Sequence, residues 1–142
     1  VYSLEEAVKS LPQSSPIVYL GWLTAGKVQG YDKAVTKFNL QALCAVGMAK
    51  SGSQMEDVRK SNNLPQGLPL FTLQGGFDLK KLRGIYRLMM LVMSKTVAKK
   101  LAAKPERTPD ESDKLDLFQN GGNRVSLSNL RPVLEWLEGE CV

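Results

Sequence analysis

Residues 67–95 read GLPLFTLQGGFDLKKLRGIYRLMMLVMSK, and this stretch contains the pattern that decides the fold. A short apolar run, residues 68–73, ends at the Gly75-Gly76 turn, and a long segment that is both apolar and basic follows it. Continuous apolar runs of this length are typical of strands buried on both faces of a parallel sheet. The stretch therefore predicts a parallel α/β sheet followed by a long basic helix.

Two earlier apolar runs, residues 16–23 and 42–48, have the same character as the run over residues 68–73. Helical patterns over residues 31–38 and 54–61 separate the three runs, and Ser53 is a plausible N-cap. The alternation of strands and helices predicts right-handed crossovers and a three-layer fold. Further expectations are a strand tail over residues 1–4, a helical turn over 4–9, a polar loop over 104–113, a short helix over 115–118 and a final helix over 130–137 capped by Ser126 or Ser128.

The composition is that of an ordinary globular protein. A chain of 142 residues with 43% hydrophobic and 23% charged residues is long enough for one domain with a real core. The chain has no histidine, which excludes Ser-His-Asp and Cys-His nucleophile systems and His-ligated metals, so no metal site is expected. The chemistry is therefore expected to belong to a bound organic cofactor, and no catalytic side chain is predicted.

Cysteine use and the start of the sequence favour a cytoplasmic protein. The two cysteines, Cys44 and Cys141, have neither zinc-site spacing nor the pattern of a disulfide framework. The first residues do not combine a basic region with an apolar one, as a secretory signal would. We therefore expect a cytoplasmic location, with peripheral contact to the inner face of the membrane as a possible addition.

The positive charge is concentrated in one segment. Residues 80–107 contain nine basic residues and one acid, Glu106, which gives a net charge of +8, whereas the whole chain carries +5 and the remainder −3. Such a concentration indicates a local docking site and not a uniformly basic surface. Nucleic acid is not expected as the partner, because Tyr86 is the only aromatic residue among these cations.

The long basic helix is expected to be amphipathic. At about 100° per residue, one arc holds a predicted core-facing stripe: Leu82, Ile85, Tyr86, Met89, Val92, Met93 and Val97. Leu88 and Leu91 fall outside this arc, among Lys80, Arg87 and Lys95. Either the C-terminal segment packs over these leucines, or they enter a lipid surface or hydrophobic ligand while the cations meet anionic groups.

Each predicted strand ends in a loop of small residues, where ligands bind in open parallel sheets. The first loop is Gly21, Trp22, Leu23, Thr24, Ala25 and Gly26, in which Trp22 could stack on a flat ring. The second is Gly47, Met48 and Ala49. Small residues are also what such turns require without any ligand, so both explanations stay open. Gly75-Gly76 matches neither a dinucleotide fingerprint nor a phosphate-binding P-loop.

Three segments together resemble the bacterial flavodoxin-domain proteins, and most closely the branch of flavodoxin-like protoporphyrinogen oxidases. They are PIVYLGWLTAGKVQGYDKAVTKF, ALCAVGMAKSG and PLFTLQGGFDLKKLRGIYRLMMLVMSK, with residues 75–94 the most specific part. The resemblance covers residues 16–137. It implies a three-layer, flavodoxin-like α/β fold with strand order 2-1-3-4-5, FMN as the cofactor, and the long basic amphipathic helix inserted after the last strand.

The resemblance also implies roles for the loops and the helix. Residues 21–26 and 47–49 would face the flavin ring, and Arg83, Arg87, Leu88, Leu91 and Lys95 would dock the substrate or a membrane. Residues 1–142 would form one flavodoxin-like domain with a helical insert and loop over residues 79–113. No segment matches the phosphate loop of flavodoxins, so the first strand, that loop and the first helix are expected to be absent from this sequence.

The expected function is that of an FMN-dependent oxidoreductase whose substrate is a tetrapyrrole such as protoporphyrinogen. The apolar ring and carboxylates of a tetrapyrrole suit a helix that mixes cations with Leu and Met. One alternative is an electron carrier that has a redox partner and no substrate of its own. Another is a cofactor-free module that docks to a membrane or protein partner. An oligomer is possible in each case.

Overall fold

The computed structural model describes residues 1–140 of the chain, so the expectation for Cys141 lies outside the described residues. It has an α/β architecture, with a mostly parallel four-stranded sheet flanked by helices, and this confirms the coarse prediction of an α/β fold with a parallel sheet. In chain order the elements are α1 (Leu4–Ser10), β1 (Pro16–Thr24), β2 (Lys27–Val28), α2 (Tyr31–Lys37), β3 (Asn39–Gly47), α3 (Met55–Ser61), β4 (Leu70–Gln74), β5 (Gly76–Phe77), α4 (Gly84–Ala102), α5 (Pro109–Asn120), β6 (Gly122–Asn123), a 3-10 turn (Leu127–Leu130) and α6 (Arg131–Glu140).

The main sheet has the strand order β2-β1-β3-β4. The three predicted strands, β1, β3 and β4, run parallel, with Leu20 opposite Cys44 and Cys44 opposite Phe71. The short strand β2 folds back antiparallel onto the end of β1, where Leu23 pairs with Val28. The parallel arrangement brings the carboxyl ends of β1, β3 and β4 to the same edge of the sheet.

Alternate side chains of the strands fill two different cores, because successive residues of a strand point to opposite faces. On one face, Leu43 and Ala45 of β3 pack in a cluster that includes Tyr31 of α2 and Val58 of α3. On the other face, Cys44 packs with Leu73 of β4 and Val133 of α6.

The second face is covered only in part. Helix α6 packs through Val133 against β3 and β4, whereas Leu20 and Trp22 of β1 are 56% and 45% exposed. The Trp22 ring meets the edge of the Tyr86 ring of α4 at a centroid distance of 5.9 Å. The carboxyl end of β1 therefore faces helix α4 and not α6.

Helices α4 and α5 form a smaller third cluster beside the sheet. Its buried members are Phe77 of β5, Met90 of α4, and Leu117 and Phe118 of α5. The rings of Phe77 and Phe118 meet edge to face at a centroid distance of 5.6 Å. Strands β5 and β6 pair antiparallel as a separate two-stranded sheet that ties the end of β4 to the end of α5.

The structure corrects the expected elements at several places. The polar segment over residues 104–113 is a loop only at first, because α5 already begins at Pro109 and extends the predicted short helix to Asn120. The cause is a capping box, in which Thr108 accepts from the Glu111 amide and the Glu111 side chain accepts from the Thr108 amide.

The expected strand tail over residues 1–4 is wrong, since residues 1–3 precede α1 as irregular chain and Ser3 caps it. Gln54, and not Ser53, is the N-cap of α3.

The side of α4 that faces the protein also differs from the expectation. Only Met90 and Ser94 of this 19-residue helix are buried, and neither belonged to the predicted stripe. Of the stripe, Leu82, Met93 and Val97 pack against the α4–α5 cluster, whereas Ile85 is 75% and Val92 58% exposed. Apolar residues occur on nearly every side of α4, so their periodicity did not identify the buried side.

Candidate functional site

A cavity of about 470 Å³ lies where the carboxyl ends of β1 and β3 meet α4 and α5. This is the edge at which ligands bind in open parallel sheets. Its volume lies within the range of small-molecule sites, which is roughly 300–1,000 Å³. The cavity is therefore the candidate ligand site of this protein.

Both predicted loops meet at this cavity. Seven of the nine predicted cofactor-binding residues line it, and they are Trp22, Leu23, Ala25, Gly26, Gly47, Met48 and Ala49. The other two, Gly21 and Thr24, do not. A side chain at Gly21 would lie 2.5 Å from Cγ1 of Val28, so this glycine permits close packing of the β1–β2 hairpin.

The structure adds an opposite wall that sequence reasoning did not predict. Apolar side chains of β5, of the segment that leads into α4, and of α4 and α5 form this wall, and they are Phe77, Leu82, Met90, Met93, Val97 and Phe118. Gly76 also contributes, and a Cβ there would lie 2.8 Å from the carbonyl oxygen of Gly122. Glycine at this position allows the two backbones to approach, and so keeps β5 and β6 together under the wall.

Thr24 lies between two lining residues, Leu23 and Ala25, and it is buried with only 7% of its surface exposed. Its hydroxyl oxygen has no hydrogen-bond partner among the described residues. Most buried polar groups have a hydrogen-bond partner, so a buried hydroxyl without one is unusual and costs free energy. Thr24 itself does not line the cavity, so its hydroxyl is an unsatisfied group of the strand end and not of the cavity surface.

Gln74, at the end of β4, connects the two walls. Its side-chain amide donates to Oδ2 of Asp113 on α5 at 2.8 Å and to the carbonyl oxygen of Met48 at 3.3 Å. Asn129 donates to the carbonyl oxygens of Gln74 and Arg124 at 3.1 and 3.0 Å. These bonds fix the distance between the Met48 loop and α5, and so the width of the cavity.

The lining carries two charged side chains of opposite sign. Lys114 of α5 is half-buried, and Asp57 of α3 is exposed. The other lining residues are apolar or small, apart from the amide of Gln54. The cavity can accordingly hold an apolar, flat group, with one cation on the α5 side and one carboxylate on the α3 side.

The predicted docking residues lie outside the cavity. Arg83 is the N-cap of α4, and it is exposed, as are Arg87 and Lys95. Leu88 is 63% exposed and Leu91 is half-buried. The expected alternative in which the C-terminal segment covers Leu88 is wrong, because α6 packs on the sheet instead.

Burial raises the pKa of two groups in the strands that lead to the site. The hydroxyl of Tyr19 donates to the carbonyl oxygen of Gln29 at 2.8 Å, and burial raises the pKa of Tyr19. Burial also raises the pKa of the Cys44 thiol to about 11. Both groups therefore stay protonated near neutral pH, and neither serves as an acid or base at the cavity.

The signal for the missing wall was present in the sequence. Thr108, Pro109 and Glu111 together form a helix-start signature, with a capping residue, a proline at the first position and an acid three residues after the cap. This signature predicts a helix that begins at Pro109. Lys114 would then lie within that helix, one residue before the apolar Leu115 and four before Phe118. The pairing of β5 with β6 had no comparable signal, because each strand has only two residues.

Comparisons with protein-family models, with curated proteins and with solved structures find no match to this chain. The geometry of the chain itself is therefore the basis for a functional proposal. None of the helices within residues 1–140 is both long and apolar enough to cross a bilayer.

Proposed function

We propose that this protein is an FMN-dependent oxidoreductase that holds the flavin ring in the strand-end cavity. The observation that supports the proposal is the meeting of the two predicted ring-side loops, residues 21–26 and 47–49, at one cavity of about 470 Å³ that seven of their nine residues line. That cavity lies at the carboxyl edge of a mostly parallel sheet, where α/β proteins bind nucleotide cofactors.

The lining suits a flat aromatic ring. Trp22 offers an aromatic face, and Met48, Met90 and Phe77 offer apolar surface that excludes water from the ring. When bound, the flavin supplies electron or hydride transfer, and the protein orients it and shields it from solvent.

The first test is a titration of the purified chain with FMN, in which the quenching of flavin fluorescence measures binding. Trp22→Ala should weaken binding about tenfold, because an aromatic pair contributes roughly 0.5–1.5 kcal/mol beyond its buried area. Trp136→Ala is the matched control, since Trp136 contacts Phe71 on the far part of the sheet and does not line the cavity. If wild-type chain binds no FMN, or if both variants weaken binding equally, the proposal is wrong.

The proposed substrate is a tetrapyrrole such as protoporphyrinogen, and the alternative is an electron carrier without a substrate of its own. Oxidation of protoporphyrinogen by the FMN-loaded chain would favour the first over the second. Reduction of the bound flavin by a redox protein, without porphyrinogen oxidation, would favour the second. This distinction rests on the family resemblance, because fold alone does not establish chemistry.

A second candidate function is docking to an anionic membrane surface through α4. The observation that favours it is a set of exposed apolar side chains on the first turns of α4, with Ile85 at 75%, Leu88 at 63% and Val92 at 58%, next to Arg87 and Lys95. Apolar side chains flanked by cations bind anionic lipid surfaces. This function would add to cofactor binding or, if FMN does not bind, replace it.

Co-sedimentation with vesicles tests the docking surface. Wild-type chain should pellet with vesicles that contain anionic lipid, and less so with neutral vesicles or at high salt. Leu88→Glu should abolish the effect, whereas Leu127→Glu, at a residue that is 84% exposed and outside α4, should leave it unchanged. Equal binding by the Leu88→Glu variant and wild type would remove this candidate.

A further inference from the structure

Lys114 is the one cation among the residues that line the cavity, all of which lie within residues 1–140. It is half-buried and belongs to α5, next to the apolar Phe118, Met93 and Val97 of the same wall. Ligand sites are mostly apolar with a few polar groups that fix orientation and specificity. A single cation in such a wall is a candidate for that role.

Three carboxylates of α5 near Lys114 are engaged with other groups, whereas Asp110, one turn before it, is exposed and takes part in no ion pair within residues 1–139. Glu111 pairs with Lys104, Asp113 pairs with Arg124 at 2.9 Å, and Asp116 pairs with Arg124 at 2.8 Å. Among residues 1–139, Lys114 itself takes part in no ion pair. Its charge is therefore available for a ligand, although it lies on a helix rich in acids.

The backbone of α5 is held firmly at this point. The residue before Lys114, Asp113, accepts from Gln74 at 2.8 Å and from Arg124 at 2.9 Å. The capping box at Thr108 fixes the start of the helix. Lys114 therefore extends from a fixed position towards the cavity, and only its own side chain needs to be ordered when a ligand binds.

We infer that Lys114 binds an anionic group of the ligand, so that the cavity takes a flat, apolar molecule that carries a negative charge at its α5 end. Where the ligand is FMN, as the proposed function has it, that group is the phosphate. For a carboxylate-bearing substrate it is the carboxylate. A lysine ammonium is a common phosphate and carboxylate binder, and the apolar surroundings strengthen its attraction.

Asp57 reinforces this orientation. It lines the cavity from α3, and Lys114 lines it from α5, and the two form no ion pair with each other among residues 1–139. An anionic group is repelled on the Asp57 side and attracted on the Lys114 side. The two charges accordingly fix which end of the ligand lies against α5.

The experiment compares FMN with lumiflavin, which has the same ring and no phosphate, on the full chain. Lys114→Gln should weaken FMN binding about tenfold and change lumiflavin binding less than about twofold, while Lys114→Arg should keep FMN binding near wild type. Lys33→Gln, an equal charge change at an exposed residue of α2, should alter neither. A Lys114→Gln variant that weakens both ligands equally, or neither, would overturn the inference.

A second pair of probes separates this inference from the proposed function. The anionic dye 1-anilinonaphthalene-8-sulfonate and its neutral analogue N-phenyl-1-naphthylamine share one apolar aromatic skeleton and differ by the sulfonate. Lys114→Gln should weaken the sulfonate about tenfold and leave the neutral dye unchanged, and Arg87→Gln reports any dye bound at α4.

The outcomes of the two pairs are distinct. If neither flavin binds but the sulfonate depends on Lys114, the flavin proposal fails and the anion-binding role of Lys114 stands. If the flavins bind and neither anion depends on Lys114, the flavin proposal stands and this inference fails. If none of the four probes binds, both fail.

Discussion

The four-stranded sheet and the α4–α5 cluster differ in how completely they bury their side chains. Four consecutive residues of β3, Ala42, Leu43, Cys44 and Ala45, have no exposed surface, because helices cover both faces of that strand. Helix α4 buries only Met90 and Ser94 among its 19 residues. The central strand of the sheet is packed on both faces, whereas α4 is packed on one side only and leaves much of its apolar surface exposed to solvent.

This difference matters because the cavity lies between the two regions. One wall belongs to the rigid sheet, through Gly47 and Met48, and the other to the thinly packed cluster, through Met90 and Phe118. Regions with few buried contacts open at lower free energy than the core. We therefore expect ligand entry and exit to occur by movement of α4, while the hydrogen bonds from Gln74 and Arg124 to Asp113 hold α5 in place.

The largest effect is expected for Leu43→Ala. Leu43 has no exposed surface and packs in the cluster between β3, α2 and α3. Its truncation leaves a cavity, and Leu→Ala substitutions of this kind cost about 4 kcal/mol. Urea unfolding followed by circular dichroism should show one cooperative transition at a much lower midpoint, with the change in unfolding free energy as the measured quantity.

Leu20→Ala is the matched control, because Leu20 lies on the neighbouring strand and is 56% exposed. It should change the free energy of unfolding by less than about 0.5 kcal/mol. If both variants lose a similar amount of unfolding free energy, burial in the sheet core is not what makes Leu43 important for stability.

A smaller and more local effect is expected for Leu117→Ala. Leu117 is also fully buried, but its cluster has only three other buried members: Phe77, Met90 and Phe118. We expect a loss of about 3 kcal/mol that loosens α4 and α5 while the sheet stays folded. Hydrogen exchange should then speed up in α4 and α5 and stay slow in β3. Equally accelerated exchange in β3 would show that the two regions unfold as one unit.

Acid should loosen α5 before it affects the sheet. The hydrogen bond from Lys104, then that from the Thr108 amide, lowers the pKa of Glu111 below its ordinary value of 4.5. The hydrogen bond from Asn120, then that from Arg124, lowers the pKa of Asp116 below 3.8. A depressed folded-state pKa contributes stability that is present above the unfolded-state pKa and lost as pH falls through the folded-state value.

The expected result is a gradual loss of α5 as pH falls below about 4.5, whereas β3 persists, since the buried polar residues among residues 1–139 include no carboxylate. Hydrogen exchange of the α5 amides at several pH values measures it. Glu111→Gln should reduce the pH dependence, and Glu135→Gln, at an exposed residue of α6, serves as the control. A sheet that loosens at the same pH as α5 would contradict this order.

The sequence predicted the sheet well because its strands are buried on both faces. A run such as residues 42–48 has apolar or small residues at every position, and only a central parallel strand requires that. The small loops at the strand ends followed from the same reasoning, and seven of the nine residues chosen there line the cavity. That these loops bind a flavin remains a prediction.

The second wall could not be predicted in the same way. Helix α4 has apolar residues on most of its sides, so periodicity could not tell that Met90 faces inward and Ile85 outward. The two-residue strands β5 and β6 depend on contacts between distant segments, and no local pattern specifies them. Lys114 was missed because the start of its helix, at the Thr108 capping box, was interpreted as a loop.

The smallest effect is expected for chemical modification of Cys44. Its rate tests whether the sheet opens separately from the α4–α5 cluster. The thiol is fully buried in β3, and burial raises its pKa to about 11, so roughly one thiol in a thousand is ionised at pH 8. In a Cys141→Ser background, iodoacetamide should leave Cys44 unmodified in the native chain. Mass spectrometry of the intact protein measures this.

The rate of Cys44 modification then reports how often the sheet opens. Leu43→Ala should accelerate it strongly, because it destabilises the strand that carries Cys44. Leu117→Ala should leave it unchanged if α4 and α5 open separately from the sheet. Acceleration by both variants would mean that the cavity cannot widen without disturbing β3, and that the two walls belong to one cooperative structure.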